Sequence, residues 1–450
     1  MTKTRLTTLV SLLLLPLSLL LSACGQMSQP GAHAHQSNDL SIYVLTTSYL
    51  TMAPGITKLD AKTHKPLWHT QPALSDVAFL IANEHLVVTG DHIYLSLFAS
   101  FKTKPSKHFV YAFSTRDGKE LWHTEFEDYE HPNPNTASLG WLTTPTADNE
   151  TVYVASSVGK VYALDAKNGS LRWTYDSKME GIFCPTPDGK GQHICASWYN
   201  DYSAIEHLTL AHSIIYGGIK NRFYALDAGK GTLLWSRDLP ADQIIDQPIT
   251  LDGKLAYVVA CTSVARDVCS VHAYTADTGS PIWRTAEPYY RLEQLTIQDH
   301  TIYAVSESNI NTSISGTGVY AWNSTDGKQL WHYETPKDML MGSSSPLLVA
   351  DHQVYIGQLG VDNQHQRYMY KRLALDAATG TLRWQFPKSS EIGELRTISD
   401  HILFAGSGDT LFAYKTTNGN KLWQYTFAPI SSGNNDTISI TDIVVIPLLV

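Results

Sequence analysis

Short apolar segments separated by turn residues recur along this chain, and each cycle closes on a tryptophan. Good copies start at Ala163, Ala225 and Ala374, with Asp two residues later, Gly six residues later and Trp ten residues later. The closing tryptophans are Trp68, Trp122, Trp173, Trp235, Trp283, Trp331, Trp384 and Trp423. Their spacing, about 51 residues on average, predicts a repeat architecture of eight units.

The turn before each tryptophan has a physical interpretation. Seven copies place a glycine four residues before the tryptophan, where a positive φ costs little. Aspartates eight residues before it can accept turn N–H bonds. An alanine ten residues before it indicates a position too tight for a larger side chain. The first copy departs from this pattern, because His64 replaces the glycine and Lys58 replaces the alanine. The glycines and aspartates are Gly118, Gly169, Gly231, Gly279, Gly327, Gly380, Gly419, Asp60, Asp165, Asp227 and Asp376.

Each cycle also holds two earlier apolar segments of strand length. In one repeat they are residues 144–146 and 151–154, and in a later one residues 346–349 and 354–356. Four strands per repeat, eight repeats and no helical periodicity predict an all-β, eight-bladed β-propeller.

The two ends of the chain predict how the ring closes. Residues 447–450 match the innermost strand at 346–349, and residues 38–43 match the continuation at 350–355. The C-terminus should therefore supply the innermost strand, residues 438–450, of the blade built from residues 41–70. Such a splice leaves no open edge in the ring.

The repeated phrase resembles the tryptophan-docking motif Ala-x-Asp-x-x-x-Gly-x-x-x-Trp of the PQQ-like (quinoprotein-type) β-propeller family, over residues 41–450. Quinoprotein alcohol dehydrogenases of this family carry an adjacent Cys-Cys pair and a calcium site with a catalytic Asp. The chain has no Cys-Cys dipeptide, and none of those acids can be matched. We therefore expect no cofactor, no metal and no catalytic residue, with a PQQ- and calcium-dependent oxidoreductase as the alternative.

The chain also resembles, in overall plan, the outer-membrane assembly propeller lipoproteins. These proteins are lipid-anchored and non-catalytic, and they hold partner proteins. The resemblance implies a binding or scaffold role at the cell envelope, with protein partners and a monomeric propeller. A ligand-sensing or carbohydrate-sensing propeller is a further alternative.

The first residues predict export. Lys3 and Arg5 precede an apolar run that ends in the lipobox-like residues 21–25, which include Cys24. Residues 1–23 are expected to be a lipoprotein signal peptide, and residues 24–40 a flexible tether acylated at Cys24. The domain would then lie outside the cytoplasm, anchored by lipid to the bacterial cell membrane or outer membrane.

Charge and cysteines narrow the choices further. A formal net charge of −9 argues against nucleic acid as a partner. Local cysteine pairs in an exported chain indicate disulfides. Four cysteines allow three connectivities, and adjacency favours Cys184 with Cys195 and Cys261 with Cys269. Zinc is the alternative, although neither spacing matches a common zinc motif.

Long insertions are predicted at one end of the propeller only, in the hairpins between second and third strands and in the crossings between blades. We call this end the long-loop face; its insertions include residues 101–109, 125–141, 176–206, 261–269, 308–316 and 360–370. Exposed aromatic and charged residues there are candidates for partner binding. The alternative is that the aromatics cover blade edges and the acids form a solvated surface. The candidates are Glu127, Asp128, Tyr129, Trp141, Trp198, Tyr199, Tyr202, Tyr290 and Arg291.

Overall fold

The structure is a computed structural model, and its described residues belong to one compact unit within residues 36–450. Every regular element in this part of the chain is a β-strand. None of the described residues forms a helix with the length and apolar character of a membrane span. The described residues are 40–48, 53–83, 85–127, 142–156, 159–178, 208–245, 247–262, 268–285, 289–306, 317–336, 339–341, 346–362, 367–386, 393–428 and 437–447.

The first four blades follow one another along the chain. Blade one contains β1 (Leu40–Ser48), β2 (Pro54–Asp60) and β3 (Pro66–Thr70). Blade two contains β4 (Val77–Ala82), β5 (Val87–Thr89), β6 (His92–Phe101), β7 (Lys107–Ser114) and β8 (Glu120–Glu127). Blade three contains β9 (Thr146–Ala147), β10 (Thr151–Ala155), β11 (Lys160–Asp165) and β12 (Leu171–Asp176). Blade four contains β13 (Thr209–Ala211), β14 (Ile214–Ile219), β15 (Arg222–Asp227) and β16 (Leu233–Asp238).

The remaining four blades are built in the same way, and one last strand returns to blade one. Blade five contains β17 (Gln243–Ile245), β18 (Thr250–Asp252), β19 (Leu255–Thr262), β20 (Cys269–Thr275) and β21 (Pro281–Arg284). Blade six contains β22 (Leu292–Gln298), β23 (Thr301–Ser306), β24 (Gly318–Asn323) and β25 (Gln329–Glu334). Blade seven contains β26 (Met339–Met341), β27 (Leu348–Ala350), β28 (Gln353–Asp362), β29 (Arg367–Asp376) and β30 (Leu382–Gln385). Blade eight contains β31 (Glu394–Ser399), β32 (Ile402–Ser407), β33 (Thr410–Lys415) and β34 (Lys421–Thr426), and the returning strand is β35 (Ile438–Pro447).

Each blade is an antiparallel sheet whose strands run from the innermost to the outermost in chain order. Blade one is the exception, because its sheet has the order β3-β2-β1-β35 and β35 is its innermost strand. In blades two, five and seven the innermost strand is broken into two pieces, and both pieces pair with the second strand.

The hydrophobic core is divided into eight clusters, and each cluster is shared by two neighbouring blades. Successive residues of a strand point to opposite faces of its sheet. Tyr43 therefore packs in the cluster with blade two, whereas Ile42 and Val44 pack in the cluster with blade eight. Because the last cluster joins blade eight to blade one, the ring is closed, and the predicted eight-bladed propeller is confirmed.

The C-terminal splice is also confirmed. In β1 and β35, Ile42 lies opposite Val445, Tyr43 opposite Val444 and Val44 opposite Ile443. A bulge follows between Leu45 and Thr46. The ladder runs from one end of β1 to the other, so β1 is paired along both of its edges.

Several predicted strand limits were wrong. The innermost strand of blade seven was expected to begin at Pro346, but β27 begins at Leu348, because proline has no N–H for the ladder. The expected insertion at 360–370 is mostly strand, since β28 continues to Asp362 and β29 begins at Arg367. The inner pieces β4, β17 and β26 were not predicted, because each holds few residues and lies beside an insertion.

Candidate functional site

The docking tryptophans lie against the turns of the next blade. A Cβ added to Gly231 would lie 2.4 Å from Cε3 of Trp173, and six other docking glycines face their tryptophans in the same way. Gly231 has φ +67°, in the left-handed region that favours glycine. The first copy closes the ring differently. His64 takes φ +57° and stacks on Trp423 with ring centroids 4.2 Å apart.

The alanine of the motif has a reason in the strand register. Ala163 is the direct partner of Trp173 on the adjacent strand, and a bulge follows immediately. The other alanines of the motif face their tryptophans in the same register. A small side chain at this position leaves room for the indole.

At four junctions, which we call regular, a tyrosine of the second strand and the docking tryptophan donate to the same carbonyl of the next blade. Tyr153 Oη donates to Ala228 O at 3.2 Å, and Trp173 Nε1 donates to the same carbonyl at 3.0 Å. The same double donation reaches the next blade at Ala276, Ser324 and Ala377. Sequence reasoning missed this tyrosine. Its signal is a Tyr in the second strand of seven of the eight repeats.

Blade one departs from this junction because of Lys58. Lys58 lies opposite Trp68, and its Nζ donates to Thr115 O at 3.1 Å. This carbonyl occupies the position that accepts the indole N–H at regular junctions. The buried Trp68 Nε1 consequently has no hydrogen-bond partner among the described residues. The expectation that only a small residue fits opposite the tryptophan was wrong here, because the lysine extends to the next blade and lies above Tyr43.

The aspartates of the motif stabilise their own turns. Asp165 accepts the N–H of Lys167 at 3.0 Å and pairs with Arg172 at 2.6 Å. Its hydrogen bond with Arg172 lowers the pKa of the Asp165 carboxyl. Asp376 and Arg383 repeat this arrangement in blade seven. These carboxylates serve the docking turns, so they are not candidates for acid–base chemistry.

Polar side chains of the inner strands also bridge blades. Gln247 Oε1 accepts the N–H of Gln294 at 3.3 Å, and Gln294 Oε1 accepts the N–H of Leu347 at 2.7 Å. Arg396 pairs with a carboxylate of its own strand and donates to Ile440 O at 3.2 Å. The inner strands thus use these groups to hold neighbouring blades together.

Two candidate binding residues, Tyr290 and Arg291, lie at a braced corner of the long-loop face. A disulfide joins Cys261 and Cys269 at the ends of β19 and β20. Tyr289 N donates to Cys269 O at 2.8 Å, and Cys269 N donates to Tyr289 O at 2.7 Å. This two-bond bridge fixes the crossing to blade six directly beside the disulfide.

The same crossing is held from blade six. Ser306 Oγ donates to Tyr290 O at 2.6 Å, and Trp322 Nε1 donates to Tyr289 Oη at 3.0 Å. Arg291 has φ +40°, a conformation that a non-glycine residue adopts only when its surroundings impose it. Tyr289 is therefore the residue that positions Tyr290 and Arg291.

The hairpin of blade two is more regular than expected. Glu127 was assigned to an insertion, but it is the last residue of β8 and lies opposite Lys107. Lys107 forms an ion pair with Glu125. Burial lowers the pKa of His108 to about 4, so this ring is neutral near pH 7.

The other predicted site residues lie outside the described residues. They are Cys24, Cys184, Cys195, Asp128, Tyr129, Trp141, Trp198, Tyr199 and Tyr202.

The described residues do not fit the quinone and calcium site expected of a quinoprotein dehydrogenase. Within the described part of the chain, no three His, Cys, Asp or Glu side chains are grouped to hold a metal ion. Cys261 and Cys269 are separated by eight residues and are buried in the core between blades five and six. A disulfide in that position does not provide the adjacent Cys-Cys pair of those enzymes.

The fold and the docking geometry define an eight-bladed PQQ-like propeller. A sequence model of the family described as outer membrane protein assembly factor BamB matches residues 106–210, 219–385 and 362–449. These segments span well over half of the chain, and the chain belongs to this family.

The individual relatives include both an assembly factor and dehydrogenases. Outer membrane protein assembly factor BamB of Yersinia pestis is 20% identical over 71% of this chain and 72% of its own length. Quinoprotein alcohol dehydrogenase PedH of Pseudomonas putida is 22% identical over 55% of this chain and 39% of its own length. The chain thus spans less than half of the dehydrogenase that it matches. A europium-containing methanol dehydrogenase structure, 14% identical, aligns over 78% of this chain and 80% of its own, with a TM-score of 0.50. This likeness concerns the fold.

Proposed function

We propose that this protein is a non-catalytic, lipid-anchored binding propeller at the cell envelope, which holds protein partners on its long-loop face. The observation that carries this proposal is the match to BamB of Yersinia pestis, which covers 71% of this chain and 72% of that protein. The match to PedH covers only 39% of that protein. A binding role also agrees with the contacts made by the polar side chains of the docking turns and inner strands, because these side chains stabilise the turns and hold neighbouring blades together.

The partner surface of this proposal includes the braced corner at Tyr290 and Arg291. Two backbone bonds, one disulfide and the Ser306 bond fix the backbone before any partner arrives. A fixed surface loses less conformational entropy on binding. Tyrosine and arginine are the residue types that most often dominate binding energy.

A photo-crosslinking residue at Tyr290 tests the surface. We expect it to trap a defined protein partner in membranes of the native host. The matched control is the same residue at Lys254, in an exposed turn at the opposite end of blade five. Equal trapping from both positions, or from neither, would contradict the proposed surface.

The anchor is tested by Cys24→Ala. We expect a folded protein that leaves the detergent phase in detergent partitioning, whereas wild type stays there. Unchanged thermal unfolding would show that the domain itself is intact. A variant that still enters the detergent phase would exclude the lipid anchor at Cys24.

A quinoprotein oxidoreductase is the second candidate, favoured by the similarity to PedH and by the fold of the methanol dehydrogenase. The test uses the purified domain with PQQ and either calcium or europium, followed by absorbance and thermal unfolding. We expect no bound quinone and no thermal shift. A saturable shift that needs both PQQ and the metal would replace the scaffold proposal with this one.

A further inference from the structure

Among the described residues, the ion pairs that cross a blade junction involve histidine, whereas most of those within a blade join Lys or Arg to a carboxylate. Three pairs with both partners described cross a blade junction, and each joins a histidine to an aspartate. Every described pair that involves Lys or Arg lies within a single blade. These ion pairs between blades therefore depend on the one side chain that ordinarily titrates near neutral pH.

The three pairs share one geometry. The aspartate comes from the innermost strand of one blade, or from the turn after it, and the histidine comes from the inner part of the following blade. His401 Nδ1 lies 2.7 Å from Asp351 Oδ1, and His300 Nδ1 lies 3.1 Å from Asp252 Oδ2. These pairs connect blades seven and eight and blades five and six. In the third pair His85 Nδ1 lies 3.6 Å from Asp442, between blades one and two.

We propose that the blade junctions are proton-linked, so that protonation of His300 and His401 strengthens the contact of blade six with blade five and of blade eight with blade seven. A protonated ring donates a charge-assisted hydrogen bond to the facing carboxylate, and such bonds are stronger than neutral ones. The junction of blades seven and eight then becomes tighter as the pH falls through the titration of His401. This inference concerns the ring itself and is independent of the proposed function.

The groups around His401 favour its charged form. The hydrogen bond and the charge of Asp351 raise the pKa of His401, and Asp400 in its own turn acts in the same direction. Burial chiefly raises the pKa of Tyr355, and the charge of Asp351 acts in the same direction. The Arg383 guanidinium, whose charge lowers the pKa of Tyr355, is paired with Asp376. A raised folded-state pKa contributes stability that is complete below the unfolded value and is lost as the pH rises through the folded value.

The groups around His300 form a similar network. Asp252 Oδ2 accepts both His300 Nδ1 and Ser324 Oγ, the latter at 3.2 Å. Tyr257 lies close enough for the Asp252 charge to contribute to its raised pKa, although burial is the main cause. Asp299 adds a second carboxylate in the histidine's own turn.

A double-mutant cycle of His401→Gln and Asp351→Asn tests the proposal at about pH 6 and about pH 8. Urea unfolding of the four proteins gives the coupling between the two side chains. We expect a coupling of about two- to fivefold in the unfolding constant near pH 6, and close to none near pH 8. The His300→Gln and Asp252→Asn cycle should behave alike. Equal coupling at both pH values, or none at either, would overturn the proposal.

His352→Gln is the matched control. His352 is exposed, occupies the same turn position as His300 and His401, and has no ion pair among the described residues. Its substitution should leave the pH dependence of unfolding unchanged. Histidine hydrogen–deuterium exchange by mass spectrometry gives a second readout that does not depend on unfolding. Asp351→Asn should lower the pKa of His401, and an unchanged pKa of His401 would also overturn the proposal.

Discussion

The junctions on either side of blade one differ from the junction between blades three and four, although both kinds close the same ring. Between blades three and four, Tyr153 and Trp173 donate to one carbonyl and a glycine accommodates the indole. At blade one, Lys58 takes the equivalent carbonyl and His64 stacks on Trp423. The docking contact therefore tolerates a change of chemistry, at the carbonyl acceptor in one junction and at the turn residue in the other.

Blade one takes its innermost strand, β35, from the end of the chain, unlike the other blades. Deletion of residues 440–450 should therefore have the largest effect on stability. Ile440, Ile443 and Val445 are buried, and each contributes about 1.5–3 kcal/mol. Their loss with the inner ladder approaches the whole stability of a typical domain. We expect aggregation or proteolysis of the truncated protein.

The control for the deletion keeps the strand and moves the chain ends. A circular permutant that links residue 450 to residue 38 and opens the exposed Gly253–Lys254 turn should fold. Leu40 lies opposite Pro447, so the linker needs to span only a short gap. A truncated protein as stable as wild type in urea would show that the closing strand is dispensable.

Among the regular junctions, Trp235→Ala should cost about 3–5 kcal/mol, the usual range for a large aromatic side chain lost from a core. Trp235 is buried and packs at the junction of blades four and five. Leu234→Ala is the matched control, because Leu234 is 49% exposed and its loss should cost less than about 0.5 kcal/mol. Equal denaturation midpoints for the two variants would place the docking contact elsewhere.

Gly231→Ala and His64→Gly compare the two turn types directly. The alanine at 231 would meet the Trp173 ring and keep an unfavourable φ, so we expect a loss of about 2–3 kcal/mol. His64→Gly exchanges the stack on Trp423 for a turn without strain, and its net effect should lie within about 1 kcal/mol of zero. Thermal unfolding measures both, and a reversed order would contradict the comparison.

Phenylalanine substitutions isolate the indole hydrogen bond. Trp235 Nε1 donates to Ala276 O at 3.1 Å, whereas Trp68 Nε1 has no hydrogen-bond partner among the described residues. Trp235→Phe should therefore cost about 1 kcal/mol more than Trp68→Phe. Both variants lose a similar volume, so the difference in urea midpoint reports the bond. An equal change in urea midpoint would mean that the indole N–H contributes equally to stability at the two junctions.

The smallest effect concerns pH at the junction of blades eight and one. Burial lowers the pKa of His64, so its contribution to stability is complete above the unfolded value near 6.5 and is lost as the pH falls. Wild type should lose more stability than His64→Gly between neutral and mildly acidic pH. Gly231→Ala is the control for a turn substitution at another junction. Its unfolding free energy should change with pH in the same way as that of wild type. Parallel slopes for wild type and His64→Gly would exclude this role of His64.

The fold could be predicted from the sequence because its determinants are local and repeated eight times. The period of the tryptophans, the turn glycines and the alanine opposite seven of the tryptophans can all be read directly from the sequence. The return of the C-terminus to blade one was predictable because residues 447–450 repeat a phrase found inside the chain, but its register was not, since β35 ends at Pro447 and pairs Val444 with Tyr43. Candidate binding residues were harder to predict, because aromatic and acidic residues near insertions do not specify which strand or crossing will hold them.

What the sequence alone determined is therefore the number of blades, the docking motif and the way in which the ring closes. The tertiary structure decided which groups meet across the junctions. Tyr153 and Trp173 converge on Ala228 O, and His401 reaches Asp351 fifty residues away, only because neighbouring blades face each other. The same holds for Tyr289, whose pairing with Cys269 becomes visible only when the crossing returns to blade five. Contacts between blades depend on the packing of whole sheets, and no short stretch of sequence encodes that packing.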